Sequence, residues 1–115
     1  MDQQLVAQDE RRRVPRRRTR MTVAAAWDEP AQLVRGVMKD FSELGARILL
    51  DDDSQTPPDA FDLIQISTGA LFEARVVWRA DQYLGVVFER SIQLKGAQEP
   101  RLMKRAQLWI RLLGR

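Results

Sequence analysis

The stretch from Leu71 to Glu89 constrains the fold more than any other. Phe72, Ala74, Val76 and Trp78 alternate with Glu73, Arg75 and Val77. After the polar step Ala80-Asp81-Gln82, Leu84, Val86 and Phe88 alternate with Gly85, Val87 and Glu89. A period of two puts alternate side chains on opposite faces of a strand. Two such runs around a short turn read as an antiparallel hairpin. Four further short runs, Met21 to Trp27, Leu33 to Lys39, Ala46 to Leu50 and Phe61 to Ser67, read as strands. In the second of these, Val34, Gly36 and Met38 face one way. Turn signals at Asp28-Glu29-Pro30 and Thr68-Gly69, and a loop from Asp51 to Ala60 with Pro57-Pro58, separate them. Closely spaced short strands favour a small barrel or a sandwich.

The period changes after Pro100, a residue that suits a helix start. Leu102, Ala106, Trp109 and Leu113 share a helical face, joined by Met103 and Ile110, while Arg101, Lys104, Arg105, Arg111 and Arg115 lie elsewhere. The expected fold is mainly β, a barrel with one amphipathic helix packed beside it. Trp78 and Phe88 are expected in the core, and Trp109 is expected to anchor the helix. An exposed Trp109 would instead mark a partner surface.

A chain of 115 residues with 44% hydrophobic content is large enough for one domain with a core. Without cysteine, disulfides, thiol catalysis and cysteine-bound zinc are excluded. Without histidine, the commonest general base and metal ligand are missing. No paired catalytic constellation can be assembled, so the protein is expected not to be an enzyme and to need no cofactor or metal. Asp51-Asp52-Asp53 lacks the spaced ligands and glycine of a calcium loop and reads as a solvated turn. No apolar run reaches the roughly 20 residues of a membrane-spanning helix, and the N-terminus lacks a signal-peptide core. A cytoplasmic protein without membrane insertion is the expectation.

Net charge is only +3, but arginine is concentrated in Arg11-Arg12-Arg13-Val14-Pro15-Arg16-Arg17-Arg18-Thr19-Arg20. Pro15 argues against a helix there. The run reads as an extended arm, with residues 1–20 a flexible N-terminal segment and 21–115 the folded domain, its helix at about 100–115. Guanidinium forks match phosphate oxygens and the O6/N7 edge of guanine. The second chemical segment is Asp40-Phe41-Ser42-Glu43-Leu44-Gly45. Asp40 can accept from guanine N1 and N2, and Ser42 can donate to a phosphate or ribose oxygen. Gly45 permits close backbone approach. Taken singly, the first segment is an ordinary basic tail or nucleic-acid arm, and the second an ordinary turn. Together they equip one site for a phosphorylated guanine nucleotide.

The pair resembles the PilZ domain family, the bacterial cyclic di-GMP receptor module, which carries an RxxxR motif and a (D/N)xSxxG motif. Arg12 and Arg16 match the first motif; Arg13/Arg17 and Arg16/Arg20 have the same spacing. Asp40, Ser42 and Gly45 match the second, continued by Ala46-Arg47-Ile48. Ala74 to Arg79 and Leu84 to Phe88 resemble the closing strands. The resemblance, over roughly residues 10 to 113, implies a six-stranded antiparallel barrel with a C-terminal helix. It also implies cyclic di-GMP held by Arg12, Arg16, Asp40, Ser42 and Gly45, with Arg11, Arg13, Arg17 and Arg47 as possible further contacts. Ligand would order the arm and present a surface to a protein effector. The alternatives are a PilZ-like protein adaptor with weak or no nucleotide binding, and a nucleic-acid module using the arm. A monomer and a homodimer built on a spare apolar stripe of the helix both remain open.

Overall fold

The computed structural model describes residues 17–52 and 55–114. Six strands form the body: β1 (Arg17–Trp27), β2 (Gln32–Phe41), β3 (Gly45–Leu50), β4 (Ala60–Gln65), β5 (Ala70–Ala80) and β6 (Tyr83–Gln93). A single helix among the described residues, α1 (Pro100–Leu113), follows. The strands close into a barrel in the order β1-β2-β3-β6-β5-β4, and every neighbouring pair is antiparallel. Closure leaves no free sheet edge.

Strand alternation divides the apolar residues between two cores. Val23, Ala25, Val34, Met38, Ile48, Leu63, Phe72, Leu84 and Val86 fill the barrel. On the outer face, Ala26, Ile64, Leu71 and Leu94 meet Leu102 of α1, while Ala24 and Ile66 meet Leu112. This explains why β1 and β4 read as nearly continuous apolar runs. They are covered on both faces, by the barrel interior and by the helix. Small alanines at Ala24 and Ala26, both fully buried, let the helix lie close to β1. Trp109 does anchor the helix. Its indole N–H donates to the Ile66 carbonyl at 2.8 Å. Its ring occupies the space a Cβ at Gly69 would need, and Gly69 also has φ +75°, where side chains are disfavoured.

Three expectations need correction. Strand β1 begins at Arg17, four residues before Met21, so the end of the arginine run is part of the sheet. The buried face of α1 is Leu102, Arg105 and Leu112, while Met103, Ile110 and Leu113 are exposed. Arg105 goes inward because Asp62, buried on β4, accepts its Nε–H at 2.8 Å and the Asp28 carbonyl accepts from Nη2 at 3.1 Å. Arg101 adds a second donor to Asp62 and a bond to Glu73. Trp78 is not core; it is 42% exposed. A bulge between Val76 and Trp78 shifts the pairing by one residue, which turns the indole to the outer surface. Phe88, by contrast, packs inward, stacked on Phe72 at 4.4 Å between ring centroids.

Candidate functional site

The Asp40-x-Ser42-x-x-Gly45 segment is the hairpin connecting β2 and β3. The Ser42 N–H donates to the Gly45 carbonyl at 2.9 Å, and the Leu44 N–H donates to Ser42 Oγ at 3.2 Å. The serine thus closes its own turn as an acceptor, and its hydroxyl hydrogen remains a donor for something else. Phe41 points inward and meets Phe72 edge-on and Phe88 at a tilt, closing the end of the barrel. Because side chains alternate, an inward Phe41 sends Asp40 outward. A Cβ at Gly45 would overlap the Val86 carbonyl of the neighbouring strand, so glycine lets β3 and β6 approach here.

Asp40 lies in a row of directly paired positions that crosses five strands. Arg18 pairs with Asp40, Asp40 with Arg47, Arg47 with Gly85, and Gly85 with Trp78. Residues directly opposite share a face. Arg47 Nε donates to Asp40 Oδ2 at 2.7 Å, and the Arg47 guanidinium carbon sits 5.2 Å from the Tyr83 ring centroid. The Asp40 hydrogen bond raises the pKa of Arg47 above its usual value; burial opposes it less strongly, and the Asp40 charge and the Tyr83 phenol add smaller upward effects. The fork is therefore oriented from its edge by a carboxylate and from its face by an aromatic ring. The Trp78 indole crosses Gly85, where any Cβ would overlap it. Beside it, Val87 and Val77 are exposed, and Leu44 is exposed at the hairpin tip. The result is an acceptor, a fork and a partly exposed indole on one surface.

Of the residues expected at a site, Asp40, Ser42, Gly45 and Arg47 come together here. Arg11, Arg12, Arg13 and Arg16 lie outside the described residues. Arg17 opens β1 opposite Phe41, so β1 begins beside the hairpin. The sequence reading did not single out Arg18, Trp78, Tyr83 or Gly85 as site residues. An aromatic facing a glycine across a short hairpin was the available signal, but it appears only once the bulge is counted.

A separate cleft of about 430 Å³ lies at the other side of the barrel, lined by Trp27, Phe61, Asp62, Glu73, Arg101 and Arg105 among others. Asp62, Glu73, Arg101 and Arg105 pair with one another, as described above, and fasten α1. No cluster of acidic or metal-ligating residues suited to an ion occurs among the described residues.

A family model for the PilZ domain matches residues 10–102. The chain belongs to the PilZ domain family. The match spans the arginine run, the β2–β3 hairpin and all six strands of this PilZ barrel. Neither the curated proteins nor the solved structures gave a match to the chain. No helix among the described residues is long and apolar enough to cross a membrane.

Proposed function

We propose that this PilZ domain is a receptor for cyclic di-GMP and binds it on the face crossed by the Arg18–Asp40–Arg47–Gly85–Trp78 row. The family implies the ligand class, and the row supplies matching chemistry. Asp40 keeps acceptor capacity beyond its bond to Arg47 and can take the N1 and N2 hydrogens of a guanine. Arg47, held by Asp40 and Tyr83, offers its remaining donors to phosphate or to the O6/N7 edge. The open Trp78 face offers a stacking plane for a base. Ser42 donates to phosphate or ribose oxygen.

Arg12 and Arg16 belong to the same site in this reading. Arg16 precedes Arg17 by one peptide bond, and Arg17 pairs with Phe41 next to Asp40. In this reading the arginine motif reaches the ligand from the start of β1. Its forks close over the ligand, and the closed arm forms a surface for an effector protein. The chemistry is recognition rather than catalysis. Several charge-assisted hydrogen bonds, offset by association costs, give roughly micromolar affinity.

The observation that carries this proposal is the row that brings Asp40 of β2, Arg47 of β3 and, across Gly85 of β6, Trp78 of β5 onto one face. Calorimetric titration tests it, with cyclic di-GMP against GTP and cyclic di-AMP, on the wild type and Arg16→Ala. Saturable binding of cyclic di-GMP alone, weakened in the variant, is expected. No heat from a folded protein would overturn the receptor reading. Equal affinity in the variant would remove Arg16 from the site.

A further inference from the structure

Exposed apolar side chains meet on the outer surface where β3, β6 and β5 run side by side. Leu44 is 53% exposed, Val77 56%, Trp78 42% and Val87 39%. Val87 pairs with Gly45, next to Leu44, and lies two residues along β6 from Gly85, the partner of Trp78. Val77 is the extra residue of the bulge before Trp78. The platform uses only the indole. Leu44, Val77 and Val87 remain as an apolar patch beside it, of the kind that marks a contact surface. Arg75, opposite Val87, pairs with Glu89, so these charges draw no charged partner to the patch.

The chain itself supplies an occupant. Residues 1–16 lie outside the described residues, and their apolar run is Leu5-Val6-Ala7. They join the barrel at Arg17, opposite Phe41 and beside the β2–β3 hairpin that carries Leu44. In the strand order β1-β2-β3-β6-β5, Val87 is three strands from β1 and Val77 four, about 14 Å and about 19 Å across the sheet. Ala7 precedes Arg17 by ten residues, a reach of about 33 Å when extended. The arginine run fills that interval. A chain led across the Asp40–Arg47 face therefore brings Leu5-Val6-Ala7 to the patch. A segment on a short tether acts at an effective concentration in the millimolar range, so a contact of a few side chains can close. A free peptide or a second copy lacks that advantage.

We propose that Leu5-Val6-Ala7 is a latch that docks on Leu44, Val77 and Val87 and holds the arginine run across the platform. Crossing the platform brings those arginines over Arg18 and Arg47, and like charges oppose closure. Phosphates between them relieve the repulsion. So does salt, which shortens its range to about 3 Å at about 1 M. Closure driven by nucleotide rests on the receptor reading; the apolar contact does not.

The chain has no cysteine, so a nitroxide on Gln4→Cys labels one position of the full chain. In about 1 M sodium chloride without nucleotide, the label should broaden the amide resonances of Leu44, Val77 and Val87 and leave the Trp109 indole on α1 sharp. Leu5→Ser/Val6→Ser should abolish the broadening. So should Val77→Thr/Val87→Thr, which keeps β-branched residues at exposed strand positions. At low salt the broadening should be weak and return with cyclic di-GMP. No broadening in high salt, broadening that survives Leu5→Ser/Val6→Ser, or bound cyclic di-GMP that does not restore it would overturn the latch. So would broadening of unlabelled ¹⁵N protein mixed with nitroxide-labelled ¹⁴N protein, which would make the occupant a second copy. Cyclic di-GMP that fails to bind while the high-salt result holds would overturn the receptor reading and leave the latch standing.

Discussion

Arg47 donates to Asp40 across the β2–β3 pair at 2.7 Å, and this ion pair sets the geometry of the nucleotide platform. Asp40 is mostly buried beside the guanidinium, whereas Arg47 is over a third exposed. In this account the pair acts on binding far more than on folding, because half-exposed ion pairs are screened by solvent. Asp40→Ala removes a guanine acceptor and releases the Arg47 fork together. Its affinity for cyclic di-GMP should fall about tenfold to hundredfold, the range for charge-assisted hydrogen bonds, with an almost unchanged melting temperature. Calorimetry and thermal unfolding on the same samples check both halves.

The exposed indole of Trp78 makes a second prediction. Trp78→Ala should weaken binding roughly fivefold to hundredfold, as expected for the loss of one stacked base, and Trp78→Phe should recover much of it. Gly85→Ala is the sharper test. The new methyl would overlap the indole, so this change should displace Trp78 and weaken binding though residue 85 supplies no ligand group. Wild-type affinity in Gly85→Ala would show that the indole's position does not matter.

On the far side of the barrel, Asp62 and Arg105 should dominate the energetics of helix docking. Both side chains are more than nine-tenths buried. Arg105→Met leaves Asp62 with the half-exposed Arg101 alone and should destabilise the fold by about 3 kcal/mol, the low end for a broken buried pair. That corresponds to a melting temperature lower by at least about 10 °C. Asp62→Leu/Arg105→Met should be milder than the sum of the single changes, since no buried charge is then left alone. Urea unfolding of the three variants gives the coupling directly.

Gly69→Ala should be costly for two separate reasons. The residue has φ +75°, and its missing side chain makes room for the Trp109 ring. A loss of about 2 kcal/mol or more in unfolding free energy is expected from a left-handed backbone combined with a displaced anchor. Cyclic di-GMP affinity should be unaffected, because Gly69 lies in the β4–β5 turn, at the opposite end of β5 from Trp78.

Much of this architecture was legible from local pattern. The alternation in β2, β5 and β6 and the change of period after Pro100 sufficed to expect a barrel with a terminal helix. Asp40, Ser42 and Gly45 could be named because they are contiguous in one hairpin. The rest depended on contacts between residues far apart in the chain. Arg105 looked solvent-facing because nothing local announces Asp62, 43 residues earlier, as its buried partner. Trp78 looked like core because strict alternation does not register the bulge after Val76. Tyr83 joined the site only through Arg47, on a different strand. The extension of β1 back to Arg17 was hidden because a run of arginines carries no apolar alternation.

The most direct test of the central claim is a titration of ¹⁵N-labelled protein with cyclic di-GMP, followed by amide and indole resonances. The account predicts saturable shifts at Asp40, Ser42, Gly45, Arg47 and Gly85 and at the Trp78 indole N–H, with the Trp109 indole N–H unmoved. Shifts confined to α1 and the Asp62 cleft, or a platform that stays silent at saturating ligand, would contradict it.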